Sequence, residues 1–159
     1  MNDFDFPGQG SQHLGMGADL YNSNKKAQQI FEDANEILGF KITDIMFGED
    51  QEALKQTNIT QPAIYIHSMV TALIANKFFK TYAVAGHSLG KFTALAAANY
   101  ISFEDGLTLV QKRAVAMQEA CEKNESSMAA IVGLEDNIVE DVCSQSKETL
   151  FGANYNCPG

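Results

Sequence analysis

Ser88 lies at the centre of the segment with the strongest chemical signal, Gly86-His-Ser-Leu-Gly90. The small and apolar residues 82–85 before it predict a buried strand, and residues 92–98 after it predict a helix. A serine between a strand and a helix, within G-x-S-x-G, is the pattern of a nucleophile elbow. The tight turn lifts the hydroxyl above the sheet and directs N–H groups of the helix toward whatever the serine attacks. We also expect both glycines to be required, because a Cβ at either would collide with the neighbouring chain.

The glycine-rich loop Pro7–Gln12 is a second candidate, because it follows a short predicted strand at residues 4–6. The dinucleotide pattern G-x-G-x-x-G is not met, since His13 stands where the third glycine belongs. We therefore favour a tight loop whose backbone N–H groups face an anion or oxyanion, with a plain turn as the alternative. His13 itself is predicted to lie at the surface.

Gln61 lies where a long apolar helix is predicted to begin, at Thr60-Gln-Pro62, and to reach about Phe79. Proline favours the first turn of a helix, and the residues that follow are apolar on nearly every side, which is typical of a central helix. Gln61 can supply an amide to a site, or it can simply cap the helix. His67, on the same helix, is predicted to be a hydrogen-bonded core histidine and not a catalyst.

Arg113 flanks the apolar stripe of another predicted helix, Phe103–Cys121. Ser102 to Asp105 fits a capping box at its start. Five residues are predicted to form the buried stripe: Leu107, Val110, Ala114, Met117 and Cys121. At the edge of that stripe an arginine can offer two parallel hydrogen bonds to a carboxylate in a cleft. A surface ion pair with Glu119 or Asp105 is an equally open interpretation.

Composition excludes several other classes of function. The 159 residues carry a net charge of −9, which argues against broad binding to nucleic acid or anionic membranes. No apolar run reaches transmembrane length, and residues 1–3 lack the basic start of a signal peptide. The three cysteines are odd in number and widely spaced, which predicts reduced thiols in a cytoplasmic protein and no metal site.

The polar segment Lys123–Ser127 predicts a boundary between residues 1–123 and residues 124–159. Beyond it we expect a strand at Met128–Leu134, a helix at Asp136–Ser146 and a second strand at Leu150–Tyr155. Both strands of this β-α-β unit still need neighbours, so the second unit reads as an incomplete one.

Taken together, these motifs resemble the malonyl-CoA:acyl carrier protein transacylases. The resemblance is carried by Phe6-Pro-Gly-Gln-Gly-Ser-Gln12, Thr60-Gln-Pro-Ala63, Gly86-His-Ser-Leu-Gly90, the helix with Arg113, Met128-Ala-Ala-Ile-Val-Gly133 and Asn154-Tyr-Asn-Cys-Pro-Gly159. It implies an α/β protein with an α/β-hydrolase-like parallel-sheet domain, of which residues 1–123 are the N-terminal part. It also implies a small ferredoxin-like α+β subdomain, of which residues 124–159 are the first half.

The resemblance implies transfer of malonyl from coenzyme A to the phosphopantetheine thiol of acyl carrier protein, in fatty acid biosynthesis. Ser88 would be the acylated nucleophile, and the backbone N–H groups of Gln9 and Leu89 would form the oxyanion hole. Arg113 would bind the malonyl carboxylate, with Gln61 and His87 lining the site. Malonyl-CoA and acyl carrier protein would be the partners, without a cofactor, a metal, a nucleic acid or a membrane.

Two alternatives remain at this point. One is a related serine acyl hydrolase or polyketide-type acyltransferase of other acyl specificity, although a neutral acyl chain does not need Arg113. The other is a catalytically incomplete fragment or carrier-binding module, because no histidine follows Ser88 to act as the general base that the family uses. The chain also has Lys91 where the family has an acid, and Asp5 where it has an apolar residue.

Overall fold

A computed structural model describes residues 2–75, 81–123 and 127–156 and divides the chain into two compact units, 1–124 and 125–159. In chain order the first unit contains β1 (Asn2–Phe6), α1 (Ala18–Ser23), α2 (Lys25–Leu38), α3 (Ile42–Phe47), α4 (Gln51–Lys55), α5 (Thr57–Ile74), β2 (Thr81–Gly86), α6 (Gly90–Ala97) and α7 (Phe103–Lys123). The second unit contains α8 (Asp136–Gln145). Within the described ranges no helix is both long and apolar enough to cross a membrane.

The two strands β1 and β2 pair in parallel, with Phe6 opposite Gly86 at their carboxyl ends. Both strands were predicted from the sequence and both are present. The expectation that residues 82–85 are buried is wrong, because Tyr82, Ala83 and Ala85 are exposed and, among the described residues, β2 pairs with β1 alone. Parallel strands end at the same edge of a sheet, so the loop after β1 and the turn after β2 leave the sheet side by side. Asp5 is exposed, so the desolvation penalty of a buried carboxylate does not arise in this strand.

Helix α5 is the centre of the hydrophobic core and has twelve buried residues. It begins at Thr57, three residues before the predicted start, because the Gln56 carbonyl already accepts a hydrogen bond from the Thr60 N–H at 2.7 Å. Pro62 therefore lies inside the helix, where its ring is buried and only one backbone donor is lost. The predicted end near Phe79 lies outside the described residues.

Helix α7 begins with the predicted cap. Ser102 Oγ accepts from the Asp105 N–H at 2.9 Å and donates to the Asp105 carboxylate at 2.7 Å. The first part of the predicted stripe, Leu107 to Ala114, is buried, whereas Met117 is 39% exposed and Cys121 is exposed. The stripe prediction is wrong for these last two residues, because the end of this 21-residue helix extends past the core of the first unit.

The second unit matches the prediction for its helix, α8, but not for its strands. Residues 127–134 and 149–156 are irregular, and no strand is assigned anywhere in the described range 127–156. A strand is defined by hydrogen bonds to a neighbouring strand, and neither segment has such a partner here. Three apolar side chains of this unit are more than two-thirds exposed: Met128, Val132 and Phe151.

Candidate active site

Ser88 sits at the tip of the turn between β2 and α6, as the sequence predicted. Its φ of 54° lies in the left-handed region, which is unfavourable for a residue with a side chain and costs about 1–3 kcal/mol. The sheet supports this strained turn directly, because the His87 N–H donates to the Phe6 carbonyl at 3.0 Å. Leu89 then caps α6, and its side chain is fully buried.

Both glycines of the turn are required by close backbone approach. A Cβ on Gly86 would lie 2.1 Å from the carbonyl carbon and oxygen of Gly90. A Cβ on Gly90 would lie 2.2 Å from the Phe6 carbonyl oxygen. Such distances are far inside van der Waals contact, so the predicted need for glycine at these two positions is confirmed.

The glycine-rich loop after β1 packs against the serine turn. A Cβ on Gly8 would lie 2.7 Å from His87 Nδ1 and 2.9 Å from the His87 carbonyl oxygen. The loop is held in shape by two internal hydrogen bonds, from Ser11 Oγ to the Gly8 carbonyl (2.9 Å) and from the Gly10 N–H to Gln12 Oε1 (2.8 Å). Neither the Gln9 N–H nor the Leu89 N–H is used by a protein acceptor in the described residues.

Arg113 reaches the nucleophile from α7. Its Nη2 donates to Ser88 Oγ at 2.9 Å, and its Nη1 donates to Gln61 Oε1. The alternative of a surface ion pair is wrong, since in the described residues Arg113 pairs with neither Glu119 nor Asp105. A half-buried guanidinium that pairs with no carboxylate of the described residues thus lies beside the serine.

Gln61 links α5 to this arginine. Its side chain is fully buried, and its Nε2 donates to the Met117 thioether sulfur at 3.3 Å. The capping interpretation is wrong, because Gln61 lies in the interior of α5. Met117 was not predicted as a polar partner, since its apolar character assigned it to the buried stripe. The available signal was its position four residues after Arg113, which places both side chains on one face of α7.

His13 and His67, the two histidines outside the serine turn, lie next to each other. His13 is exposed, as predicted, and its ring lies edge-on to that of His67, with the ring centroids 6.3 Å apart. His67 is half-buried and not a core residue; burial, and next the nearby charge of His13, lower its pKa, against a smaller opposing effect of Asp19. In the described structure neither His13 nor His67 hydrogen-bonds to Ser88.

The assembled groups suit acyl transfer to and from a serine. They comprise a half-buried hydroxyl on a strained backbone turn, two N–H groups that donate to no acceptor among the described residues, and a guanidinium that can hold an anionic part of the acyl group. Among the described residues no cluster of histidine, cysteine and acidic side chains is placed to bind a metal ion.

Comparison with known proteins agrees with this chemistry. The model of the family described as "Acyl transferase domain" matches residues 4–158. The malonyl CoA-acyl carrier protein transacylase of Staphylococcus aureus (strain MRSA252) is 41% identical over 157 residues, which cover 97% of this chain and 51% of that protein.

Solved structures give the same result. The malonyl-CoA:acyl carrier protein transacylase of Helicobacter pylori superimposes with a TM-score of 0.84 at 35% identity, covering 91% of this chain and 48% of that one. A malonyl-transacylase in complex with its type II PKS acyl-carrier protein gives a TM-score of 0.78 at 32% identity, covering 90% and 47%. The chain therefore spans about half the length of the relatives it matches.

Proposed function

The chain belongs to the acyl transferase domain family, and on this premise we propose that it serves malonyl transfer in fatty acid biosynthesis. Ser88 takes the malonyl group from the thioester of malonyl-CoA and passes it to the phosphopantetheine thiol of an acyl carrier protein. The observation that carries this proposal is the contact of Arg113 with Ser88 Oγ, without any protein carboxylate on the guanidinium in the described residues.

In the first half-reaction Ser88 Oγ attacks the thioester carbonyl as a base removes the hydroxyl proton. The tetrahedral intermediate places a negative charge on the former carbonyl oxygen, which the N–H groups of Gln9 and Leu89 stabilise. One well-placed donor of this kind contributes roughly 3–4 kcal/mol to the transition state. Collapse of the intermediate expels the coenzyme A thiolate, which takes up a proton, and leaves a malonyl ester on Ser88. The carrier's thiol then reverses these steps.

Arg113 selects the acyl group in this scheme. The free carboxylate of malonyl accepts two parallel hydrogen bonds from the guanidinium, which is a stronger and more directional contact than a lysine gives. Gln61, whose side chain is buried, holds the guanidinium at Nη1 through a part-buried hydrogen bond. His87 lies against Gly8 of the glycine loop, and we assign it to the lining of the acyl site.

The reaction also needs a general base, and neither His13 nor His67 hydrogen-bonds to Ser88 in the described structure. We infer that it comes from the second half of the family domain, because relatives are about twice as long as this chain. We also infer that residues 1–123 belong to a hydrolase-like domain and residues 124–159 to a ferredoxin-like subdomain. A cytoplasmic location and chemistry without a cofactor complete the proposal.

A hybrid protein tests the proposal. Residues 1–156 of this chain would be joined to the corresponding second half of the Staphylococcus aureus relative, with Ser88→Ala as the matched control. We expect the folded hybrid to load malonyl onto the thiol of holo acyl carrier protein and the Ser88→Ala hybrid to load none. A folded hybrid that releases free malonate without loading the carrier would instead indicate a hydrolase and overturn the transferase assignment.

A further inference from the structure

Arg113 and Met117 both contact the side chain of Gln61. They lie four residues apart on α7, so both project from the same face of the helix, and both contact Gln61 of α5. Arg113 Nη1 donates to the carbonyl end of the amide, and Met117 Sδ accepts from its nitrogen end at 3.3 Å.

The burial of Gln61 gives these two contacts their importance. The side chain has no exposed surface, so its amide must find partners within the protein or carry the cost of unsatisfied polar atoms. If the amide were reversed, its NH2 group would face the guanidinium, and two donors would meet. The present orientation gives each end a suitable partner, although a thioether is a weak acceptor.

We propose that Met117 is a positioning residue that keeps the Gln61 carbonyl directed at Arg113 and thereby keeps the guanidinium at Ser88. Loss of the sulfur leaves the Gln61 NH2 group without an acceptor, so the amide samples other orientations. Arg113 then loses its fixed hydrogen-bond partner at Nη1. Its contact with Ser88 Oγ, at 2.9 Å, weakens because the guanidinium is no longer held in place. The catalytic consequence of this arrangement rests on the proposed function, but the arrangement itself does not.

Simple packing is the competing explanation for Met117. Met117→Leu keeps nearly the same volume and removes the acceptor, whereas Met117→Gln keeps an acceptor and changes the apolar surface. Because Met117 is 39% exposed, neither change opens a sealed core cavity. Met128→Leu is the matched control, since it makes the same chemical change at a residue that is 78% exposed in the second unit.

Nitrogen-15 NMR of the 159-residue chain observes the Gln61 amide and the Arg113 guanidinium directly, and it does not require catalytic activity. We expect Met117→Leu to shift the Gln61 NH2 and Arg113 guanidinium signals and to speed their hydrogen exchange. Met117→Gln should restore slow exchange at both groups, and Met128→Leu should leave them unchanged. Unaltered signals in Met117→Leu, or the same change in Met117→Leu and Met117→Gln, would overturn the proposal.

The acyl preference of the hybrid protein then tests the catalytic consequence. We expect Met117→Leu to lower the preference for malonyl over acetyl about fivefold, which corresponds to the loss of one ordinary hydrogen bond, and Met117→Gln to recover it. An unchanged preference together with altered NMR signals would refute the effect on selectivity. A hybrid without malonyl transfer would refute the proposed function, and the NMR result would still decide the role of Met117.

Discussion

Replacement of Arg113 by alanine tests the hydrogen bond between Arg113 and Gln61 through the free energy of unfolding, without an activity assay. Gln61 is fully buried, and its Oε1 accepts from Arg113 Nη1. In Arg113→Ala this oxygen has no partner, and leaving a buried acceptor unsatisfied costs about 1–3 kcal/mol. For a chain of this size each kcal/mol lowers the melting temperature by about 2–4 °C, so we expect a decrease of several degrees.

Urea unfolding followed by circular dichroism measures this free energy, with Lys112→Ala as the control. Lys112 is the neighbouring cation on α7 and is exposed, so its loss should change stability by less than about 0.5 kcal/mol. A double-mutant cycle with Gln61→Leu isolates the pair, because removing both partners avoids the unsatisfied oxygen. We expect a coupling of about 0.5–3 kcal/mol between the two sites. If Arg113→Ala is no less stable than Lys112→Ala, the buried contact with Gln61 does not exist as described.

Three further changes follow from the structure. Lys91→Glu should raise the free energy of unfolding by about 0.3–1 kcal/mol, because an acid suits the first turn of α6; a lower melting temperature would show that Lys91 has a specific partner. Gly90→Ala should destabilise the protein by about 1–3 kcal/mol, because its Cβ meets the Phe6 carbonyl, although alanine ordinarily favours a helix; unchanged or increased stability on denaturation would disprove the close approach. The pKa of His67 is lowered in the folded state, so the unfolded chain binds the proton more readily and stability falls as pH decreases below about 6.5; His67→Gln should reduce this slope, and equal slopes in pH-dependent melting would contradict it.

The parts of the site that depend on local geometry were predictable from the sequence. The approach of Gly86 to Gly90 and the serine-to-aspartate cap of α7 each act within a few residues, so their pattern is sufficient. The need for Gly90 also depends on the distant Phe6 carbonyl, and the G-x-S-x-G pattern indicated it nevertheless. The contact of Arg113 with Ser88 joins residues 25 positions apart. Spacing in the sequence favoured neither a role in the site nor a surface ion pair for this arginine.

Features that depend on distant partners were not predictable in the same way. The Gln61–Met117 contact joins residues 56 apart, and nothing in an apolar helical stripe marks one methionine as a hydrogen-bond acceptor. The strands predicted at residues 128–134 and 150–155 had suitable composition. A strand forms only where another strand pairs with it, and the described second unit offers none.

The most direct test of the account is a covalent malonyl group on Ser88. The 159-residue chain would be incubated with malonyl-CoA, with and without imidazole as an external base, and its intact mass followed over time, with Ser88→Ala in parallel. A serine hydroxyl needs a base during attack, so we expect negligible adduct without imidazole and one malonyl group per chain with it. Ser88→Ala should acquire none. A rapid stoichiometric adduct without imidazole would show that the chain already contains the base, and an equal adduct on Ser88→Ala would contradict the central claim that Ser88 is the nucleophile.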